Sequence, residues 1–450
     1  MTDSTTKKSF SARHLAYQAL YEIIQKGAYS NLTLQNIQNT YQLKRVDERL
    51  LTELVYGVLR KYNYLSWIIS QISSKPLRKI HISVRILLCL GLYQIVFLDK
   101  IPDSAAVNES VKIAHKVTHP GNVRFVNGVL RNFLRQRDDF QVENKVSDSL
   151  TRSALQYNEP EWLVRRWNRE FGPDKAREIF QSFNESPVLA VRMNRLKTDK
   201  LQFISALTDR EIEADEVSFL ANAFVIKDHA DIFFSYFIPK GYAYVQSLSS
   251  MIPAAVLNPQ PGDTVLDMCA APGSKTTQMA EIMKNKGCID AWDLYPHKIS
   301  LIESNAKRLG ISIIHATARD ASKHDPAFTE KYDRILLDAP CSGLGVLGHK
   351  PEIRWRRTEK GLEEFPPLQK KLLAEAASCL KHGGTLVYST CTLNREENEH
   401  VISWFLEHFP EFYAEDFQIG QFKKSEKGMM SIFPSECNSD GFFAAKLRRR

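Results

Sequence analysis

At 450 residues, with 43% hydrophobic and 25% charged side chains, the chain is too long for one ordinary core and too apolar to be disordered, which predicts roughly two or three folded domains. Its seven cysteines include no C-x-x-C pair, which argues against a disulfide framework or a structural zinc site and predicts reduced thiols in the cytoplasm. The net charge of +8 is uneven: residues 1–150 hold 21 Lys and Arg against 12 Asp and Glu, a surplus of +9, so the remainder is close to −1.

A basic N-terminal third suits a polyanionic partner, because neutralised phosphates release condensed counterions; a solvated basic face is the plainer alternative. The opening MTDSTTKKSF has no apolar signal-peptide core. The longest apolar stretch, Val84 to Leu98, carries Arg85 and Gln94 and reads as a buried helix, so no membrane partner is expected.

From Arg13 to Arg137, segments such as "RHLAYQALYEII", "RLLTELVYGVLRKYNYLSWII" and "VRFVNGVLRNFLRQR" repeat apolar residues at i, i+3, i+4 and i+7. This predicts an all-helical bundle of about six or seven helices. The pieces "VYGVLR", "RILLCLGLYQIVFLDKIPDSAAVNESVKIA" and "RFVNGVLRNFLR" resemble the NusB-type RNA-binding helical domain over residues 8–145. The polar run "RDDFQVENKVSDS", Arg137 to Ser149, has linker composition. Residues 146–241 then mix a Trp-rich helix, "PEWLVRRWNREFG", with strand-like runs "LAVRMNRL" and "AFVIKD", which predicts a small α/β connecting domain.

Residues 242–450 alternate strand and helix: "TVLDMCA", "CIDAWD", "ISIIHA", "RILLDAP" and "TLVYSTC" separated by helical text. Such alternation predicts a Rossmann-like parallel sheet with ligands at the carboxyl ends of its strands. The first strand end, "VLDMCAAPGSKTT", matches neither the P-loop nor the dinucleotide glycine pattern. What remains is a small-residue loop at a helix start, Cys269, Ala270, Ala271, Pro272, Gly273, Ser274 and Lys275, able to approach a small charged ligand. Asp293, 26 residues beyond Asp267, and Asp320 end the next two strands. An acid there can accept both hydroxyls of a ribose. Together these features suit S-adenosylmethionine (SAM), which brings a ribose and an adenine but no phosphate.

Asp338 and Cys341 in "DAPCSG", and Cys391 in "STCT", close the fourth and fifth strand ends. Two loop thiols near a methyl donor suit methylation of cytosine C5, a poor nucleophile until a thiolate adds to C6. One thiol would attack and the other assist release, while Asp338 would favour protonation at the pyrimidine N3 and N4. Cys89, Cys288 and Cys379 lie in helix or strand text and read as inert.

"CAAPGSK", "DAPCSG" and "STCT" followed by "NREENE" resemble the motifs of the Sun-type RNA cytosine-C5 methyltransferases. Joined to the NusB-like third, the resemblance is to their bacterial small-subunit branch and covers nearly the whole chain. It implies that Cys269–Lys275 line the SAM site, Asp293 holds the ribose, Asp320 lies near the adenine, and Asp338 borders cofactor and base. It further implies that Cys391 is the nucleophile, that Cys341 promotes release, and that the substrate is 16S rRNA or an assembling small subunit; a monomer is expected, though the sequence does not reveal the oligomeric state.

Two departures stand out. The family loop reads C-A-A-P-G-G-K where this chain has Ser274; a left-handed backbone there would strain a serine by about 1 kcal/mol. An arginine pair before Pro351 is replaced by Gly348, His349 and Lys350, so a phosphate contact would be lost, or moved to Arg354, Arg356 or Arg357. Rival readings are a non-catalytic RNA-binding protein, which needs neither thiol, and a DNA cytosine methyltransferase, against which the helical domain and "STCT" argue. A Sun-type enzyme acting on transfer RNA or another rRNA site remains the alternative.

Overall fold

The computed structural model describes residues 10–137, 140 and 142–450. The expected start of the helical domain at residue 8, and linker residues 138, 139 and 141, lie outside the described residues. The chain forms two compact units: residues up to Asn184 together with Lys350–Glu359, and Glu185–His349 together with Lys360–Arg450.

The first unit is helical. Helices α1 (Ala12–Lys26), α2 (Ser30–Thr40), α3 (Arg45–Arg60), α4 (Tyr62–Ile72), α5 (Ile82–Phe97), α6 (Asp103–Val117) and α7 (Pro120–Arg135) are followed by α8 (Val142–Lys145), α9 (Ser149–Tyr157), α10 (Glu161–Phe171) and α11 (Pro173–Asn184). The helical periodicity has its expected consequence: Leu15, Leu20, Leu54, Val58, Leu87, Val126 and Leu130 meet in one apolar core. The predicted buried helix at Val84–Leu98 is α5, at the centre of that core. The division between compact units falls after α11, so the Trp-rich helix α10 packs with the helical unit, where Trp167 stacks on Phe180.

Lys350–Glu359 is threaded into this unit as a strap. The α2 N-terminus has no side-chain cap of its own, and Glu352 supplies one. Its carboxylate accepts from the Ser30 N–H (3.0 Å) and hydroxyl (2.9 Å), satisfying donors that a helix start leaves open. Arg354, fully buried, donates to the equally buried Glu159 at 2.6 Å. Burial pushes the Glu159 carboxyl up to about 7, with Arg354 opposing. Arg356 donates to the Ile23 and Ala28 carbonyls, and Trp355 Nε1 to the Leu59 carbonyl. The relocated phosphate contact expected at Arg354 is therefore corrected: a guanidinium locked in a buried ion pair has no face left for phosphate.

In the second unit, β1 (Leu189–Met193), α12 (Lys200–Thr208), β2 (Ala214–Glu216), β3 (Ala223–Ile226), α13 (Ala230–Tyr236) and β4 (Ala243–Val245) form an antiparallel sheet of order β2-β3-β1-β4. The next stretch runs α14 (Leu248–Leu257), β5 (Thr264–Asp267), α15 (Ser274–Ile282), β6 (Cys288–Asp293), α16 (Pro296–Leu309), β7 (Ile314–Ala318) and β8 (Tyr332–Asp338). After α17 (Ile353–Arg356) in the strap come α18 (Phe365–Cys379), β9 (Leu380–Thr390), α19 (Glu399–His408), β10 (Phe412–Ala414), β11 (Gln418–Ile419), β12 (Lys423–Lys424), β13 (Met429–Ile432) and β14 (Phe442–Arg449).

The large sheet runs β10-β14-β9-β8-β5-β6-β7, parallel from β9 to β7, with β14 antiparallel to β9. Alternation along each strand feeds two cores. Val265, Leu336 and Val387 pack with α14, while Leu266, Ile335, Leu337 and Tyr388 pack with α18 and α19. From β5 the chain winds outward through β6 and β7, then returns to place β8 on the other side of β5. The strand order therefore reverses between β5 and β8, and the loops leaving these two strands open the crevice where such sheets bind ligands.

Candidate active site

The loop after β5 reaches α15 through Gly273, whose φ of 96° is left-handed and whose added Cβ would lie 3.3 Å from Ile302 Cα. Glycine is required there, not one residue later. Ser274 is the first residue of α15 and lacks a positive φ, so the strain expected of it is corrected: the left-handed position belongs to Gly273. Asp293, nearly buried at the end of β6, accepts from the backbone N–H of Ala271 (3.3 Å) and of Tyr295 (3.1 Å), with Lys298 Nζ 3.4 Å away. The structure thus brings Asp293 onto the Cys269–Lys275 loop. Asp320 stands just past β7, next to β6 in the sheet, where hydrogen bonds from the Ser322 hydroxyl and N–H hold its carboxyl below the usual range.

Asp267, the last residue of β5, accepts from Thr276 Oγ1 at 2.7 Å. Its other oxygen is buried and makes no hydrogen bond of standard geometry. Burial, reinforced by the Asp338 charge, pushes this carboxyl up to about 7, although Thr276, Lys275 and the Cys269 N–H oppose the shift. Burial likewise raises the Cys269 thiol.

Across the crevice, β8 and β9 run parallel with Asp338 beside Ser389, so "DAPCSG" and "STCT" leave the same sheet edge. Cys341 Sγ and Cys391 Sγ lie 3.3 Å apart as free thiols. The contact with Cys391, burial, and the charges of Cys391, Glu397 and Asp338 hold the Cys341 thiol well above its ordinary range. Cys341 therefore keeps its proton. Asp338 receives Lys275 Nζ at 2.7 Å on one oxygen and the Ser389 hydroxyl at 2.8 Å on the other. Burial would lower the Lys275 ammonium, but the charges of Asp338, Cys391 and Asp267 leave it raised. One cation thus links the small-residue loop to the thiol pair. Of the cysteines read as inert, Cys89 and Cys379 are buried, and Cys288 is partly exposed at the start of β6.

Two buried residues at this site carry no role from the sequence. Arg192, the fourth of the five residues of β1, is 3% exposed and donates to both Glu281 oxygens (3.1 and 3.0 Å), to Thr277 Oγ1 (3.0 Å), to the Ser274 carbonyl (3.0 Å) and to Gln246. It ties the small sheet to α15 from its first turn, at Ser274 and Thr277, to its last, at Glu281. An arginine inside the apolar run "LAVRM" was the readable signal, because a buried guanidinium needs acceptors from elsewhere. Glu397, inside the quoted "NREENE", is fully buried between the two cysteine loops. Among the described residues no helix is long and apolar enough to cross a membrane, and no group of three or more His, Cys, Asp or Glu could hold a metal ion.

Three family models match: the NusB family over residues 11–135, an RsmF/B-like ferredoxin-like domain over 159–233, and 16S rRNA methyltransferase RsmB/F over 254–448. The chain is 38% identical to the probable ribosomal RNA small subunit methyltransferase B of Bacillus subtilis (strain 168), across 98% of this chain and 100% of that one. The crystal structure of PH0851 is 29% identical, with a TM-score of 0.84 over 99% of this chain and 100% of that one. The structure of NSun6 from Pyrococcus horikoshii with SFG is 26% identical, with a TM-score of 0.58 over 64% of this chain and 98% of that one. A full-length relative at this identity, with matching models for all three folded parts, means that the chain belongs to the RsmB/F family of 16S rRNA methyltransferases.

Proposed function

We propose that this protein methylates C5 of a cytosine in 16S rRNA with SAM as methyl donor, through a covalent bond between Cys391 Sγ and the pyrimidine C6. The observation that carries the reading is the pair of free thiols 3.3 Å apart at the crevice, beside a carboxylate held by Lys275 and Ser389. Family membership and the small-subunit methyltransferase relatives support rRNA as substrate, naked or within an assembling subunit. Cysteines without disulfides suit a cytoplasmic enzyme, which we take to act as a monomer.

The residues present fit SAM. Gly273 leaves the cradle open where a side chain would meet Ile302, and Asp293 is a buried acceptor at the next strand end. The orphaned Asp267 oxygen is an acceptor that a ligand ammonium would satisfy. Cys269–Lys275 would line the cofactor, Asp293 would take its ribose, and Asp320 would lie toward its adenine; a bound structure of the relative NSun6 holds SFG, a SAM analogue. When bound, SAM supplies the methyl group that C5 receives.

The chain's own residues do the rest. Lys275 stabilises negative charge at Cys391, whose thiolate adds to C6 and shifts the C5–C6 electron pair toward C5. Asp338 faces the N3 and N4 side and favours protonation there as charge builds on the ring. After C5 is methylated its proton passes to a base, the C5–C6 double bond re-forms, and Cys391 leaves as thiolate. Cys341, protonated and in van der Waals reach of the departing sulfur, assists that release. The cytosine must be unstacked to enter, which favours single-stranded or loop RNA.

Replacing the thiols one at a time tests the assignment. Cys391→Ala should remove both methylation and covalent attachment to RNA, whereas Cys341→Ala should let the adduct form and accumulate on a denaturing gel. An adduct in the Cys391 variant and none in the Cys341 variant would reverse the roles.

A further inference from the structure

We infer that Glu397 is a positioning residue that sets the spacing of the two thiols and thereby makes release follow attack. The inference rests on the covalent reading above for its consequence, and on geometry alone for the spacing.

Glu397 is 0% exposed and every atom bonded to its carboxylate is a donor. Oε2 accepts from the Ser342 N–H (2.8 Å) and Gln369 Nε2 (3.0 Å); Oε1 accepts from the Ser342 hydroxyl (2.5 Å) and Asn394 Nδ2 (2.9 Å). Ser342 follows Cys341, and Asn394 is three residues past Cys391. Gln369 also donates to the carbonyl of Pro340, the residue before Cys341 (2.9 Å). The loops join directly as well: with the Ser342 hydroxyl donating to Glu397, the Thr392 hydroxyl donates to Ser342 Oγ (2.8 Å) and accepts the Asn394 N–H (3.2 Å). On the far side, Tyr388 donates to the Glu397 carbonyl (2.7 Å) and Asn398 ties Thr390 to the Thr392 carbonyl. One carboxylate, which only accepts, thus gathers donors from the segments flanking both thiols.

The two loops do not depend on it equally. Cys391 directly follows Thr390, the last residue of a strand paired on both sides, and it also feels the Lys275 charge. Cys341 lies three residues beyond β8, and Glu397 and Gln369 hold the residues on either side of it. Removing the carboxylate should therefore displace Cys341 more than Cys391. Attack would survive and release would fail.

The test uses the full chain with Glu397→Ala and the milder Glu397→Gln, which puts an amide donor against donors. Diamide, which oxidises two neighbouring thiols to a disulfide while its azo group is reduced to the hydrazine, reports the Cys341–Cys391 spacing without RNA. Crosslinking should slow about 100-fold in Glu397→Ala, the scale of penalty for a misplacement of about 1 Å, and by less in Glu397→Gln. With 16S rRNA transcribed in vitro as substrate, both variants should accumulate covalent adduct while product formation falls, and SAM binding should stay within about twofold of wild type. Unchanged crosslinking, or adduct and product falling in parallel with SAM binding intact, would overturn the positioning role. Slowed crosslinking with no adduct even in Cys341→Ala would leave the spacing role standing and sink the covalent reading.

Discussion

Arg192 offers the sharpest energetic test. In Arg192→Met the Glu281 carboxylate, 5% exposed and gripped through two N–O contacts of 3.1 and 3.0 Å, keeps its burial and loses its charge partner. Removing one member of a buried ion pair costs about 3–5 kcal/mol, because the remaining charge stays desolvated. With a urea dependence of about 3 kcal/mol/M, the unfolding midpoint should fall by roughly 1–2 M. The sign with pH follows from Glu281. Burial raises its folded pKa and Arg192 opposes that rise, so deleting Arg192 lifts the folded value further above the unfolded one. A raised acid contributes its stability below the unfolded pKa and loses it as pH rises through the folded pKa. The defect of the variant should therefore be smaller at about pH 5 than at about pH 8. Urea titrations at both pH values measure it, and Glu281→Met in the same chain should recover much of the loss. A deficit below about 1 kcal/mol, or one independent of pH, would refute the view that Arg192 holds a charged Glu281 on α15. SAM affinity should weaken along with stability, since Arg192 also carries the Ser274 carbonyl and Thr277.

Other expectations follow from the same geometry. Asp267 has a folded pKa of about 7 against an ordinary 3.8, so without cofactor its contribution is present at low pH and lost as pH rises through about 7. Asp267→Asn should remove that loss, gaining up to about 4 kcal/mol relative to wild type across the window in pH-dependent denaturation. Gly345→Ala would put a Cβ 2.0 Å from the Gly441 carbonyl oxygen and 2.8 Å from that of Cys391; methylation should drop by about 100-fold or more in a turnover assay, the scale of a misplaced reacting group. Lys75 and Lys79 line a cavity of about 350 Å³ with His81 and His119 in the helical unit. Changing both lysines to Gln should flatten the slope of log K against log salt for rRNA by about 1.4–1.8 if each neutralises one phosphate.

The helices of the first unit, the alternating sheet and the strand-end loops were legible because each is written in local text. A 3.6-residue repeat makes α1 to α7, alternation of strand and helix makes the parallel sheet, and a glycine before a polar run opens α15. Asp293, Asp338, Cys341 and Cys391 could be picked out as candidates for a related reason: in a parallel sheet the strand ends converge whatever the details of packing. Their roles rest on the chemistry their grouping allows.

Tertiary structure alone decided the rest. Whether Cys341 and Cys391, 50 residues apart in sequence, stand at 3.3 Å depends on the in-register pairing of β8 with β9 and on the donors gathered by Glu397. A string of residues does not carry such a distance. The arginines after Pro351 read as surface charge or phosphate contacts, yet Arg354 is buried because Glu159, 195 residues earlier, waits for it. Local sequence determines which backbone forms and which side chains seek burial. The partner of a buried charge and the spacing of a thiol pair are long-range facts, set when distant segments close on one another.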